Sequence, residues 1–463
     1  MSTQNPSTSK KGMNPIIILL SILFLAMLLT YFVDSGSYDR QGNVVVANSY
    51  KVIEKDKSLG NLFNYENADQ IKAEPVSIIG AFMAIPTGLE QGAGLIFMVL
   101  IIGGMFGILT KAGTVDAGLE RLLSLVQGNI YVLVIILMIA FSAGSTFLGL
   151  ASEYLLIIPL MVGMANRLGL PNIIGFAIVC VAVKAGYLSS VTNPLPLTIA
   201  QPLLGLQIFS GASVRFFFYL AFLAVGISFV LLMIKRHGFN NAQVHFHAEK
   251  LSTRHVSMLL TLAGGIALLV YASTHWHWKH HALSAYYIAL SMVLAAMSGL
   301  TANQAAQAFV DGMKKVLLAS ILIGVATAVA VVLKQGMILD SIVHFLMSFI
   351  GEGNAYVAAT GMFVSQLLLD FLIPSTSGQA AVSMPILGPV GSLAGVSEQT
   401  TIVAFLFGNG ITNILTPTSG TLLAYLATAR VGWGEWAKFI FPLWLVYIFL
   451  AVLLLQVSVL IGF

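Results

Sequence analysis

Two apolar stretches of this chain are interrupted by nearly the same phrase. Ser190-Val191-Thr192-Asn193-Pro194-Leu195-Pro196 breaks one, and Gly410-Ile411-Thr412-Asn413-Ile414-Leu415-Thr416-Pro417 breaks the other. Each follows a second Ser/Thr/Gly cluster in apolar surroundings, Gly144-Ser145-Thr146 in the first case and Pro374-Ser375-Thr376-Ser377-Gly378 in the second. Inside hydrocarbon an unwound backbone must be satisfied by protein or by a polar cavity. Gly/Pro-interrupted apolar segments at corresponding places in two halves point to a secondary transporter's binding site. The chain therefore reads as an all-α polytopic membrane carrier.

Composition agrees with that reading. Of 463 residues, 58% are hydrophobic and 9% charged, against roughly 25% charged in a soluble domain. Residues 1–12 read as a disordered cytoplasmic tail. Met13–Val33 is too long for a signal-peptide core and lacks a small-residue cleavage site, so it is expected to stay as a first transmembrane helix. Further spans are expected near 91–110, 171–199, 214–234, 255–273, 282–300, 316–333, 398–429 and 435–463, each near the ~20 residues a crossing needs. Shorter arms fill 129–166 and 354–393. Residues 34–74 form an extracytoplasmic loop, in which Tyr38–Val46 reads as a hairpin turning at Gln41-Gly42-Asn43. Lys10, Lys11, Lys111, Arg121, Arg167, Lys235, Arg236, Lys250, Arg254, Lys314, Lys315 and Arg430 then fall on one side. The positive-inside rule places the N-terminus in the cytoplasm and the C-terminus outside, and makes the net charge of +4 a topology signal rather than a nucleic-acid signal. A single cysteine, Cys180, excludes an intramolecular disulfide.

Landmarks recur in order some 220–230 residues apart: Lys111-Ala112-Gly113 with Lys334-Gln335-Gly336, Ser145-Thr146 with Ser375-Thr376, Pro159 and Gly169 with Pro385 and Gly395, Thr192-Asn193 with Thr412-Asn413. The span count starts the two copies in opposite directions, which makes them inverted-topology repeats. We delimit the first at 75–234 and the second at 301–463, with a cytoplasmic linker at 235–254 and connecting helices at 255–300. Arms too short to cross suggest a re-entrant hairpin in each copy, with Gly144-Ser145-Thr146 at the first tip. Two ordinary short spans per cluster are the alternative.

A dehydrated sodium ion wants hard oxygen ligands, which unwound carbonyls and Ser, Thr and Asn side chains supply. Helix N-termini beyond the breaks favour a carboxylate. One candidate cluster is Ser145, Thr146, Ser190, Thr192 and Asn193. The other is Ser375, Thr376, Ser377, Asn409, Thr412 and Asn413. Ionisable residues within a membrane default to functional hypotheses, and three stand out. Lys184 offers an ammonium to a substrate carboxylate or pairs with Glu153. Glu153 and Asp370 bind a substrate amine, carry a coupling proton or neutralise Lys184. Arg215 and Lys334, near span ends, are expected to snorkel. His275-Trp276-His277-Trp278-Lys279-His280-His281 reads as an interfacial aromatic belt, with weak metal binding as the minor reading. Gly88–Gly92 and Gly103–Gly107 fit close helix packing.

At these residues the chain resembles the YfcC-type branch of the anaerobic four-carbon-dicarboxylate carrier family, within the ion-transporter superfamily. The resemblance runs from about residue 78 to 450. It rests on Ile373-Pro374-Ser375-Thr376-Ser377-Gly378-Gln379-Ala380-Ala381, Met384-Pro385-Ile386-Leu387-Gly388-Pro389, Phe407-Gly408-Asn409-Gly410-Ile411-Thr412-Asn413, Pro417-Thr418-Ser419-Gly420, Thr192-Asn193-Pro194 and Trp436-Ala437-Lys438-Phe439. It implies a homodimeric scaffold domain and a mobile elevator-type transport domain in a bacterial inner membrane. It adds Thr418 to the substrate-binding candidates. The substrates it implies are four-carbon dicarboxylates, with amino acids the alternative. One departure is Ser152-Glu153, where the family pattern has paired glutamates, so a coupling role at that position is not carried over. No cofactor is expected beyond sodium as coupling ion, and no nucleic-acid partner. A membrane-embedded enzyme is the different-class alternative, but no His-Glu-x-x-His or Gly-x-Ser-Gly occurs, and no Walker lysine motif supports ATP-driven transport.

Overall fold

In a computed structural model the chain is described over residues 15–42, 44–55, 57–64, 71–115, 117–118, 121, 129–237, 252–276, 278–348, 350 and 354–463. The tail 1–12, most of the linker, Asn43 and His277 lie outside the described residues. Among those described, seven helical segments are long and apolar enough to cross a membrane. Helix α1 (Pro15–Phe32) follows the tail. Helix α2 is Ile78–Lys111, longer than the span 91–110, because Ser77 Oγ accepts the Gly80 N–H at its start and Pro86 is carried inside the helix.

Two sets of elements then follow in the same order. In the first half, α3 (Ile130–Leu148) and α4 (Ile158–Arg167) both pack along α5 (Asn172–Ser189). Helix α5 breaks and resumes as α6 (Pro194–Leu203), and α7 (Ala212–Arg236) follows. Helices α8 (Thr253–His275) and α9 (His280–Met297) connect the halves. The second half opens with α10 (Ala302–Gln335) and a short amphipathic α11 (Leu339–Met347). It continues with α12 (Ala355–Asp370) and α13 (Thr376–Leu393), then α14 (Glu398–Thr412), a break, α15 (Gly420–Ala429) and α16 (Trp433–Leu460). Pro385 and Pro389 lie inside α13 without ending it.

Helices α2 and α10, each 34 residues, extend about 50 Å at 1.5 Å per residue. They run in opposite directions: Gly88 meets Gly324 and Ala328, while Gly107 meets Ala308 and Gly312. A Cβ at Gly88 would stand 2.4 Å from the Gly324 oxygen, and one at Gly107 2.1 Å from the Ala308 oxygen. Only glycine lets these backbones approach so closely, the small-residue packing expected of membrane helices.

The loop between α1 and α2 is tied to α11. Two short hairpin strands, Arg40–Gln41 and Val44–Val45, pair antiparallel as expected. Arg40 Nη2 holds both oxygens of Asp340, at 2.5 and 2.7 Å, and the Tyr50 ring stacks on His344 at 4.0 Å. Lys55 Nζ donates to the Thr30 carbonyl at the end of α1, at 2.5 Å. Burial there, helped by the nearby Lys57 ammonium, pulls Lys55 down to about 8.

Candidate functional site

The two breaks meet. Gly410 packs against Tyr187 and Leu188, so the end of α14 abuts the end of α5. Asn172 at the start of α5 donates to the Ala429 carbonyl at the end of α15, at 3.2 Å. Gln399 at the start of α14 donates to Ser210 Oγ, just beyond α6, at 2.7 Å. The broken helices thus enter from opposite ends and are interrupted at one level. At the first break Ser190 adopts a left-handed φ of 41°, a costly conformation for a residue with a Cβ. Its Oγ donates to the Tyr187 carbonyl.

The two Thr-Asn pairs share one role and differ in the other. Thr192 Oγ1 donates to the Phe147 carbonyl at 3.1 Å, and Thr412 Oγ1 to the Leu367 carbonyl at 2.7 Å. Each threonine fastens its break to the helix that leads into the tip of the same half. The asparagines part company. Asn193 caps α6 by accepting the Leu195 N–H at 3.0 Å. Asn413 Nδ2 instead donates to both oxygens of Asp370, at 2.9 and 2.8 Å.

Both tips and both breaks line a single cavity of about 380 Å³. Ser145, Lys184, Asn193, Ser375, Thr376, Ser377, Asn409 and Asn413 all face it. The other candidates do not. Thr146 Oγ1 accepts the Val191 N–H, and Thr418 Oγ1 donates to the Phe371 carbonyl. Glu153 accepts the Ala151 N–H and, like Thr192, lines an adjoining crevice. The first tip also differs from expectation. Helix α3 continues through Ser145 and Thr146 to Leu148, and the turn begins at Gly149, φ 73°. Only there does a glycine admit the left-handed backbone that ends the helix.

Lys184 is 9% exposed, lines the cavity and has no carboxylate within 4 Å among the described residues. The Lys184–Glu153 pair named above is not formed. Its ammonium lies 5.9 Å from the centroid of Tyr187, within cation–π range. Asp370 is fully buried behind two amides: Asn409 Nδ2 donates to it at 2.6 Å, alongside Asn413. Asn409 Nδ2 also donates to Gln379 Oε1 at 2.7 Å, and Asn409 Oδ1 accepts the Tyr187 hydroxyl at 2.5 Å.

Arg215 does not snorkel. It is fully buried, donating to the Ser210 carbonyl at 2.7 Å and to the Val191 carbonyl, inside the first break, at 3.0 Å. The inner face of α7 turns its guanidinium onto one carbonyl of the break, Val191, and one of the loop after α6, Ser210. Lys334 is exposed as expected. Of the His/Trp tract, Tyr271, Trp276, Trp278 and Tyr286 form an aromatic chain. No group of three metal-ligating side chains occurs among the described residues, while His280 reaches the cavity wall.

Tyr187, Gln379 and Tyr425 were missed in the sequence. Tyr187 lies three residues after Lys184 and so on the same helical face, a signal that was available. Tyr425, whose hydroxyl donates to the Ala151 carbonyl, had none.

Residues 14–460 match the family model for the C4-dicarboxylate anaerobic carrier, DcuC. The chain belongs to that family. It is 26% identical over 480 residues to the "Putative basic amino acid antiporter YfcC" of Escherichia coli (strain K12), covering 94% of each chain. It is 25% identical to an uncharacterized protein of Haemophilus influenzae, covering 92% of each. Among solved structures it is similar to the YdaH transporter of Alcanivorax borkumensis, with a TM-score of 0.43, 18% identity, and 97% and 99% of the chains covered. The MtrF structure of Neisseria gonorrhoeae gives a TM-score of 0.43, 16% identity, and 96% and 95% covered. The protein is a membrane transporter of the DcuC kind and not an enzyme.

Proposed function

We propose that the protein is a secondary active transporter for a small carboxylate-bearing solute, by preference a four-carbon dicarboxylate, coupled to sodium and moved by an elevator mechanism. One observation carries the substrate reading: a buried ammonium, Lys184, with no carboxylate within 4 Å among the described residues, faces a small polar cavity where both breaks and both tips converge. Its nearest counter-charge, Asp370, is held away from it by Asn409 and Asn413, which leaves the ammonium able to meet a substrate carboxylate, and a buried ionisable group of this kind is a functional site by default. Asp370 stands behind Asn409 and Asn413, so a cationic substrate end inside the cavity would share it with Lys184.

Sodium fits the uncharged oxygens at the rim, Ser145, Asn193, Ser375, Ser377, Asn409 and Asn413, with Ser190, Thr192 and Thr412 close behind them. The opposed directions of α2 and α10 and of the two broken helices support inverted repeats. The glycine-locked α2–α10 pair suits a rigid scaffold and homodimer base. The hairpins and broken helices, packed as one body around the cavity, suit a carried domain. The bilayer in this reading is a bacterial inner membrane, with the N-terminus cytoplasmic and the C-terminus outside.

Exchange of amino acids is a second reading. It draws on the description of the Escherichia coli relative and on Glu153, which lines the adjoining crevice where a substrate's cationic end would reach.

Thermal unfolding with succinate, arginine or neither, in sodium or choline, separates these readings, since a ligand of the folded state raises its melting temperature. Succinate is expected to stabilise the protein in sodium only. Lys184→Met is expected to abolish that effect. Stabilisation by arginine but not succinate, or by succinate equally in choline, overturns the proposal.

A further inference from the structure

We propose that Lys184 and Asp370 form a charge-balanced pair divided between the two halves, and that Asp370 thereby sets the number of coupling cations at two per dicarboxylate. This rests on the dicarboxylate reading above. Lys184 comes from α5 and Asp370 from the end of α12. Among the described residues they are the only lysine lining the cavity and the only aspartate bonded to its wall, through Asn409 and Asn413, and they make no contact within 4 Å. Asp370 accepts three hydrogen bonds, all from those two amides, and among the described residues no cationic side chain lies within 4 Å of it.

The sum of the two charges is zero wherever the proton between them resides. The ammonium with the carboxylate and the amine with the carboxylic acid carry the same net charge. Other ionisable groups do not upset this count. The Tyr187 hydroxyl donates to Asn409 Oδ1 and lies 2.7 Å from Thr376 Oγ1. Glu153 and Lys279 line the adjoining crevice rather than the cavity. His280, on the scaffold side of the cavity, is counted as neutral imidazole.

An empty site of zero charge crosses the membrane without a charge penalty, so the unloaded carrier returns freely. A dianion in the same site leaves two negative charges uncompensated in the membrane interior, where ions are costly. Two monovalent cations restore neutrality, and the uncharged oxygens around the cavity can take them. A zwitterion needs none. Asp370 therefore acts as a fixed counter-charge: neutralise it, and one coupling cation becomes superfluous.

The test is the ratio of sodium-22 to carbon-14 succinate taken up by proteoliposomes containing the full chain, under voltage clamp with potassium and valinomycin. The wild type is expected to give a ratio of two, and Asp370→Asn a ratio of one. Asp370→Glu keeps the charge and is expected to retain two. A wild-type ratio other than two overturns the charge count even if the variants do not fold. An unchanged ratio in Asp370→Asn overturns the role of Asp370. Failure of the dicarboxylate reading is distinguishable, because the wild type would then take up no succinate at all.

Discussion

Replacing Asn409 with alanine removes four hydrogen bonds from the cavity wall. Its Nδ2 donates to Asp370 at 2.6 Å and to Gln379 at 2.7 Å. Its Oδ1 accepts from Tyr187 at 2.5 Å and from Thr376 at 3.4 Å. The bond to the buried carboxylate is worth about 1.5–3 kcal/mol and the one to Gln379 about 1 kcal/mol. Tyr187 keeps Thr376 as a partner at 2.7 Å, so its loss adds little. The expected destabilisation is about 2.5–4 kcal/mol, which at roughly 2 °C per kcal/mol lowers the melting temperature by about 5–8 °C. Thr376→Val is the control, because it removes one good bond and one long one and should cost about 1 kcal/mol. Thermal unfolding of both variants in detergent, without substrate, makes the comparison. Adding Asp370→Asn to Asn409→Ala should recover part of the loss, because the carboxylate whose partner was removed is gone. If Asn409→Ala is no less stable than Thr376→Val, or if the double variant is fully additive, the buried network around Asp370 is not what holds the second tip to its broken helix.

Tyr187→Phe keeps the ring under Lys184 but frees the second tip from α5. Loss of about 1 kcal/mol of positioning is expected to weaken succinate binding roughly fivefold in calorimetry, and unchanged affinity would remove Tyr187 from the site. In the loop between α1 and α2, Lys55 is held at about 8 against an ordinary 10.5. The unfolded chain therefore binds more protons than the folded one across that window, and stability rises as pH climbs through it. Lys55→Gln is expected to flatten the rise; a rise that persists in the variant assigns it to other groups.

Much of the architecture was legible because membrane insertion leaves few choices. Long apolar runs must become helices to satisfy their backbones, so Thr192-Asn193 and Thr412-Asn413 announced broken helices from residue type alone. Glycine at positions 88 and 107 announced close packing in the same way. Element boundaries were less legible. The start of α2 at Ile78 depends on Ser77 as a cap, and the first tip depends on which glycine adopts a positive φ.

The partners of polar side chains were decided only in three dimensions. Identical Thr-Asn pairs gave two different asparagines, one capping a helix and one holding a carboxylate, because Asp370 has no counterpart beside Asn193. Tyr187 and Asn409 meet across 222 residues of chain, and nothing local in either segment encodes that contact. Arg215 reads as a snorkelling span-end residue by position, yet the packing of α7 turns it inward onto the Val191 carbonyl of the break. Sequence determines where a membrane helix must break, since an unwound turn needs particular residue types. It does not determine which distant donors answer that break, since those are brought together by helix packing driven by side chains elsewhere.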